Sequence, residues 1–253
     1  VEEKIVKSVD QVLQVLELFS ADKQSWGVTE VSEALHLHKS TVFGILKTFE
    51  NRGFMKKDDK TQKYQLDIKF MPLIGAILNK MDLKQVALPF MEQLSQKYDE
   101  SVHLTLAVED KAFPILMIES TKLLRSFIIL GESIPLYCTA SGKTILAYWP
   151  AKQLDDYLKR QELRKRTETT ITDVNGLRRE LKNILENGYA VNNSEHEEGI
   201  RCVAAPITDF NGKILAALSV TGPAIRMNKA VLPDIIKDLV EYCKTVSNMI
   251  MKY

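Results

Sequence analysis

Three groups of residues in this chain are of types and spacings that could do chemistry. The first is "TASGKT", residues 139–144, whose Gly142-Lys143-Thr144 matches the end of a phosphate-binding loop. In such loops a glycine-rich turn offers backbone N–H groups and the lysine meets the outer phosphates. The full pattern needs another glycine five residues before Gly142, and that position is Tyr137. The preceding "ESIPLYC" is stiffened by Pro135 and crowded by bulky side chains, which opposes wrapping around phosphate. The second group is Cys202 with His196 or His103, a thiol–imidazole pairing that makes cysteine nucleophiles. A hydrolase using Cys202 is therefore the alternative from another class. His196 lies in the charged stretch "NNSEHEEG", and no third, orienting group stands at a recognisable spacing, so no catalytic residue is assigned. His103 reads either as a satisfied core histidine or as a pocket donor. The third group is His36-x-His38, which lacks a Cys, Asp or third His at ligand spacing. No metal and no cofactor is expected, and His38 is read as a phosphate contact or as part of an inter-helix turn.

These residues must be positioned by a soluble, folded frame. The 253 residues suffice for one large domain or a small one plus a larger one, and 45% hydrophobic with 26% charged residues is ordinary for globular proteins. The net charge of +1 selects no partner, so local charge decides. Cys138, Cys202 and Cys243 are odd in number and far apart, which excludes a disulfide framework and favours a reducing cytosol. No apolar run approaches the ~20 residues of a membrane span, and "VEEKIVKSVD" has no signal-peptide core, so a cytoplasmic location is expected.

In the first 67 residues, Val9, Val12, Leu13, Leu16 and Phe19 recur at helical spacing. Two short helices follow. Thr29 is expected to cap the first, with Val31, Ala34 and Leu35 inward; Ser40 is expected to cap the second, with Val42, Ile45, Leu46 and Phe49 buried and Gly53 ending it. "FMKK" and "KYQL" flank the polar "DDKTQ" as a hairpin, giving the element order of a winged helix-turn-helix. Between residues 39 and 63 seven cations (Lys39, Lys47, Arg52, Lys56, Lys57, Lys60, Lys63) face three carboxylates, a local net charge of +4. Such charge is either a solvated face or a set of phosphate contacts along a groove of double-stranded DNA.

Residues 68–81, "IKFMPLIGAILNKM", carry apolar residues on more than one face and read as a connecting helix or as one packed on its own domain. Residues 82–253 alternate helices with six strands, "SVHLTLAVE", "AFPILMIES", "LRSFIIL", "YAVN", "RCVAAPITD" and "KILAALSVT", and end in a long helix from Asn228. That order gives an α+β domain with an antiparallel sheet. "KRQELRKR", residues 159–166, is read as a solvated helix end. The last hairpin turns at "DFNG" and permits two registers, with Cys202 opposite either Ser219 or Thr221. In both, Cys202, Ala204, Ser219 and Thr221 share one face while Val203, Ile207, Ile214, Leu218 and Val220 share the other. The small, polar face either lines a pocket or admits a closely packed helix.

"VKSVDQVLQVLELF", "GVTEVSEALHLHKSTVFGILKTFENRGFM" and "YQLDIKFMPLIG" resemble the DNA-binding half of IclR-family transcriptional regulators. "IPLYCTASGKTILAYWP" and "GYAVNNSEHEEGIRCVAAPITDFNGKILAALSVTGPAIR" resemble the effector half, so the resemblance spans essentially the whole chain. It implies a winged helix-turn-helix in residues 1–67, a linker helix in 68–81 that helps form a homodimer or tetramer, and a GAF/PAS-like sensor in 82–253. It also implies operator contacts from Lys39, Ser40, Thr41, Phe43 and Lys47, and effector contacts from Ala140, Ser141, Asn192, Cys202, Ser219 and Thr221. Gly44 stands where the family often has Arg, and Asn192 where it often has Asp. Under this resemblance "TASGKT" is a loop entering a helix, whose free N–H groups suit a small carboxylate better than a nucleotide.

Overall fold

The computed structural model describes residues 6–19, 23–73, 83–126 and 128–250. They belong to two units divided between Met81 and Asp82. In the first, α1 (Lys7–Leu18), α2 (Val28–Leu35) and α3 (Lys39–Asn51) precede a ribbon of β1 (Met55–Lys57) and β2 (Tyr64–Leu66). Val15, Phe19, Val31, Val42, Leu46, Met55 and Tyr64 form its core, with Ile45 and Phe49 packed against it. Only the C-terminal half of α1 reaches that core. Val9 and Leu13, which share the helical spacing, are half-exposed and continue an outward stripe from Val6.

Both expected helix caps are displaced. α2 is capped two residues early, at Gly27, whose N–H donates to Glu30 Oε2 at 2.8 Å. A reaching carboxylate satisfies that end, so Thr29 has no capping role. Helix α3 starts at Lys39 after His38, leaving Ser40 inside the first turn, and Ala34 of α2 is exposed rather than inward. Gly53 ends α3 in the left-handed region as expected, at φ +75°. Asp58 Oδ1 gathers the N–H groups of Lys60 and Thr61 and so shapes the wing's turn. Tyr64 exchanges backbone hydrogen bonds with Trp26 (3.0 and 2.8 Å), tying the ribbon to the chain before α2. After a 3-10 turn at Ile68–Phe70, residues 74–81 of the expected linker helix lie outside the described residues.

In the second unit β3 (Ser101–Val108), β4 (Lys111–Ile118), β5 (Ile134–Pro135), β6 (Ala190–Asn193), β7 (Ile200–Thr208) and β8 (Ile214–Pro223) form one sheet, ordered β5-β4-β3-β8-β7-β6. All its pairings are antiparallel. α4 (Leu83–Tyr98) and α8 (Leu232–Ile250) pack on the face carrying Val102, Leu104, Val203, Leu218 and Val220. α5 (Ala140–Ala147) lies on the other face with α7 (Val174–Asn187) behind it; α6 (Ala151–Arg160) joins their cluster through Tyr157 and Leu158.

The sequence misplaces three details. None of the described residues of "LRSFIIL" is in a strand; the Arg226 guanidinium takes the Leu124 carbonyl at 2.8 Å, and Ile134–Pro135 occupies the sheet edge. The last helix begins at Leu232, because Asn228 Oδ1 accepts from Ala230 N–H and folds residues 228–231 into a turn. The β7–β8 connection is a three-residue loop closed by Asp209 and Lys213, with Gly212 at φ +75°. Cys202 lies opposite Thr221, one of the two expected registers, but the ladder slips by one residue at Ile207/Thr208. A bulge reverses which way the following side chains point. Ile214 accordingly packs with Ala204 and Ala217 on the small-residue face, not with Leu218.

Gly44 has open space where a Cβ would stand, in mid-helix and exposed. Gly44→Ala should raise the stability of the first unit by about 1 kcal/mol, read by urea unfolding; a loss of stability would mean that an unseen contact requires glycine there.

Candidate functional site

On α3, the buried Val42 and Leu46 turn Lys39, Ser40, Thr41, Phe43 and Lys47 outward together. All five are exposed, and Phe43 is an aromatic ring half in solvent at mid-helix. Cations and hydroxyls at a helix start, beside an exposed ring, suit a phosphate-lined groove with base edges at its floor. Ion pairs localise this charge: the Lys47–Glu50 pair is already counted in the +4, while Glu30, outside residues 39–63, lowers it further. Lys47 pairs with Glu50 at 2.8 Å, and Lys63 with Glu30 at 2.9 Å. Glu30 also takes Lys23 at 2.8 Å, and hydrogen bonds from Lys23, Gly27 and Lys63 hold its carboxyl down to about 2. His36 and His38 are cap residues, His36 closing α2 at φ +53° and His38 preceding α3.

The second unit places the other six residues around one sheet face. Register puts Asn192 beside Cys202, Cys202 beside Thr221, and Ala204 beside Ser219. β3 continues the row, with Ser101 opposite Thr221, His103 opposite Ser219 and Thr105 opposite Ala217. The first turn of α5, with Ala140 and Ser141 buried, packs over these strands. Thr139 caps it by accepting from Gly142 N–H at 3.1 Å. The N–H groups of Ala140 and Ser141 precede any intrahelical acceptor and stay available to a ligand.

The "GKT" residues are consumed by packing. A Cβ on Gly142 would stand 2.4 Å from the Leu136 carbonyl, so only glycine lets the loop cross there. Lys143 is fully buried and directs its three protons to Glu195 Oε1 (2.6 Å), Glu180 Oε1 (3.0 Å) and the Val191 carbonyl (3.3 Å). Thr144 approaches the Ala204 carbonyl at 3.5 Å. A lysine so enclosed cannot hold phosphate. Sequence reading missed Glu180 and Glu195, 37 and 52 residues from Lys143, because no spacing rule links residues so distant.

Asn192 is also braced. Its Nδ2 donates to the Cys138 carbonyl and its Oδ1 accepts from Glu195 N–H at 3.0 Å. These bonds tie β6 to the loop that enters α5, so this side chain positions Ala140 and Ser141. Cys202 is half-buried, and burial pushes its thiol up to about 11. Its partner is Thr221 Oγ1 at 3.0 Å, whereas His196 stands by Arg166 at 3.3 Å. Burial also holds His103 down to about 4. A thiol that stays protonated, near an imidazole that resists protons, is no nucleophile–base pair.

Residues 75–248 match the C-terminal domain of the bacterial transcriptional regulator IclR, and residues 8–59 match the IclR helix-turn-helix domain. The chain belongs to the IclR family of transcriptional regulators. It is 33% identical over 242 residues to the HTH-type transcriptional regulator KdgR of Escherichia coli K12, covering 95% of this chain and 92% of that one. The crystal structure of Thermotoga maritima IclR superposes with a TM-score of 0.70 at 29% identity, covering 98% of this chain and all of that one. An IclR homologue of Microbacterium hydrocarbonoxydans, solved with 4-hydroxybenzoate, shares the fold at a TM-score of 0.80 and 23% identity, over 97% and 99% of the two chains. This IclR-family chain is a DNA-binding regulator of transcription rather than an enzyme, and no helix among its described residues is long and apolar enough to cross a membrane.

Two consequences can be measured. Lys143→Met strands Glu195 in the interior and should cost about 3–5 kcal/mol in urea unfolding. Adding Glu195→Gln should recover much of that loss, whereas additive losses would show that the two side chains do not depend on one another. For His103, the unfolded imidazole takes up a proton near 6.5 and the folded one only near 4. Stability should therefore fall as pH drops through that window, by up to about 3 kcal/mol. His103→Gln should flatten the slope, and equal slopes for both proteins would mean that folded His103 does charge.

Proposed function

We propose that this regulator binds operator DNA through α3 and the wing as a homodimer or tetramer in the cytoplasm, with affinity set by a small organic acid. The DNA contacts are Lys39, Ser40, Thr41, Phe43 and Lys47, with Lys56, Lys57 and Lys60 of the wing region beside them. Assembly uses the outward stripe Val6, Val9 and Leu13 of α1 and the exposed Ile68 and Met71 of the connector. A palindromic site needs two reading helices about one DNA turn apart, which one chain does not supply.

The acid lies on the polar sheet face, its carboxylate on the N–H groups of Ala140 and Ser141 and its body beside Cys202, Ser219 and Thr221. One observation carries this reading. Among the described residues, His103 Nε2 and Thr105 Oγ1 are buried on that face without a hydrogen-bond partner. Such groups are costly in a core and useful in a binding site. The relative solved with 4-hydroxybenzoate, itself a carboxylate, supports the choice of an acid. Asn192 acts indirectly, by bracing the carboxylate-binding turn.

Gel shifts across a salt series should show binding that weakens steeply as salt rises. Lys39→Glu should weaken all sequences alike, and Thr41→Ala should alter discrimination between them. Absence of both the salt dependence and the Lys39→Glu effect would sink the α3 assignment. In thermal-shift screening a carboxylate should raise the melting temperature of the wild type, and Ser219→Ala should lose about 1 kcal/mol of that affinity while still binding DNA. Stabilisation by neutral or cationic metabolites alone would overturn the acid reading.

A further inference from the structure

We propose that the effector is a hydroxy acid, recognised through a ligand hydroxyl that donates to Nε2 of His103. The inference rests on the reading of this sheet face as the effector site, and it follows from where the protons must be. Thr221 Oγ1 has one proton and at 3.0 Å donates it to Cys202 Sγ. The Cys202 thiol points its own proton toward the Val203 carbonyl, 3.8 Å away. With its proton so placed, Thr221 presents a lone pair to His103 Nδ1 at 3.5 Å, which assigns the imidazole hydrogen to Nδ1. In a neutral imidazole that leaves Nε2 as a bare acceptor.

This acceptor has no partner among the described residues, and His103 is 1% exposed. Two residues along the same strand and on the same face, Thr105 Oγ1 is likewise buried and unpartnered. A bare carboxylate would place lone pairs against the Nε2 lone pair. A hydroxyl fits both groups, giving its proton to Nε2 and accepting one from Thr105. The ligand is thus divided between two ends of the site: an anionic end at the α5 N–H groups and a hydroxyl end at β3.

The full-length protein with ¹⁵N-labelled histidine tests the proton placement directly. Long-range ¹H–¹⁵N spectra should show one of the four histidines, identified by its loss in His103→Gln, as the Nδ1–H tautomer near neutral pH. Observation of the Nε2–H tautomer, or of an imidazolium, would overturn the proposal. Calorimetry should then compare two matched pairs, 6-hydroxyhexanoate with hexanoate and 4-hydroxybenzoate with benzoate. In at least one pair the hydroxylated acid should bind about tenfold tighter, the worth of one hydrogen bond to a buried acceptor. His103→Phe should erase that preference, so that the two acids of each pair bind within about twofold of one another. If that variant fails to fold, the wild-type spectrum and its Nε2 shift on adding the preferred acid remain decisive. Equal affinity within both pairs would overturn the hydroxyl contact while leaving the acid sensor standing. Binding of none of the four acids would overturn the sensor reading and this one together.

Discussion

A lysine ammonium removed from water has to be met by charge, and Lys143 is removed completely. Glu195, Glu180 and the Val191 carbonyl meet its three protons, so one side chain on α5 joins α7, β6 and the loop after β6. Glu195 in turn fixes that loop, since its carbonyl accepts from the Thr170 and Thr167 hydroxyls at 2.6 and 3.3 Å and its N–H donates to Asn192. Burial pushes the Glu195 carboxyl above its usual range, and the Lys143 ammonium opposes that rise. The pair need not stabilise the fold relative to a hydrophobic substitute; its effect is directional. It sets α5 in a single position, with the N–H groups of its first turn over the polar strands.

The rest of the site inherits that placement. Gly142 lets the loop cross on the Leu136 backbone, Asn192 holds the Cys138 carbonyl, and Thr139 closes the helix end. Each of these contacts fixes backbone. The side chains of the polar face, Cys202, Ser219, Thr221, His103 and Thr105, stand on a sheet whose opposite face is a conventional apolar core under α4 and α8. A rigid sheet with one dry face and one polar face can hold hydrogen-bonding groups in register without help from the ligand.

Much of this is legible in the sequence, wherever a local rule has no competitor. Helical spacing located α2 and α3, Gly53 located the end of α3, and period-two alternation put Cys202, Ala204, Ser219 and Thr221 on one face. The misreadings arise where a competing contact, near or distant, displaces the local rule. Thr29 lost its cap to Glu30, "LRSFIIL" lost a ladder acceptor to Arg226, and Ile214 changed faces because a three-residue loop forced a bulge. The largest gap concerned "SGKT". A motif-like string invites a reading of each residue as a ligand contact, but here the glycine is steric and the lysine electrostatic. Only their partners reveal that: Leu136 six residues before the glycine, and Glu180 and Glu195 dozens of residues beyond the lysine.

The polar atoms that remain unpartnered bear on function more than those that are paired. A sequence selected for stability alone would replace His103 and Thr105, since leucine or valine there would spare the desolvation of two hydrogen-bonding groups. Their neighbours on β3, Val102 and Leu104, are the apolar residues such a strand favours, and both are fully buried. The alternation along this one strand therefore separates two demands. Val102 and Leu104 serve the core, while His103 and Thr105 leave hydrogen-bonding capacity unspent on the face under α5. Local departures from good core chemistry are expected where binding, rather than folding, sets the residue. Because the departing groups share a face with Cys202, Ser219 and Thr221, a ligand that satisfies them would stabilise the sensor by its own binding free energy. Under the proposed reading, occupancy would change the stability of the arrangement around α5 and so shift the populations of the second unit.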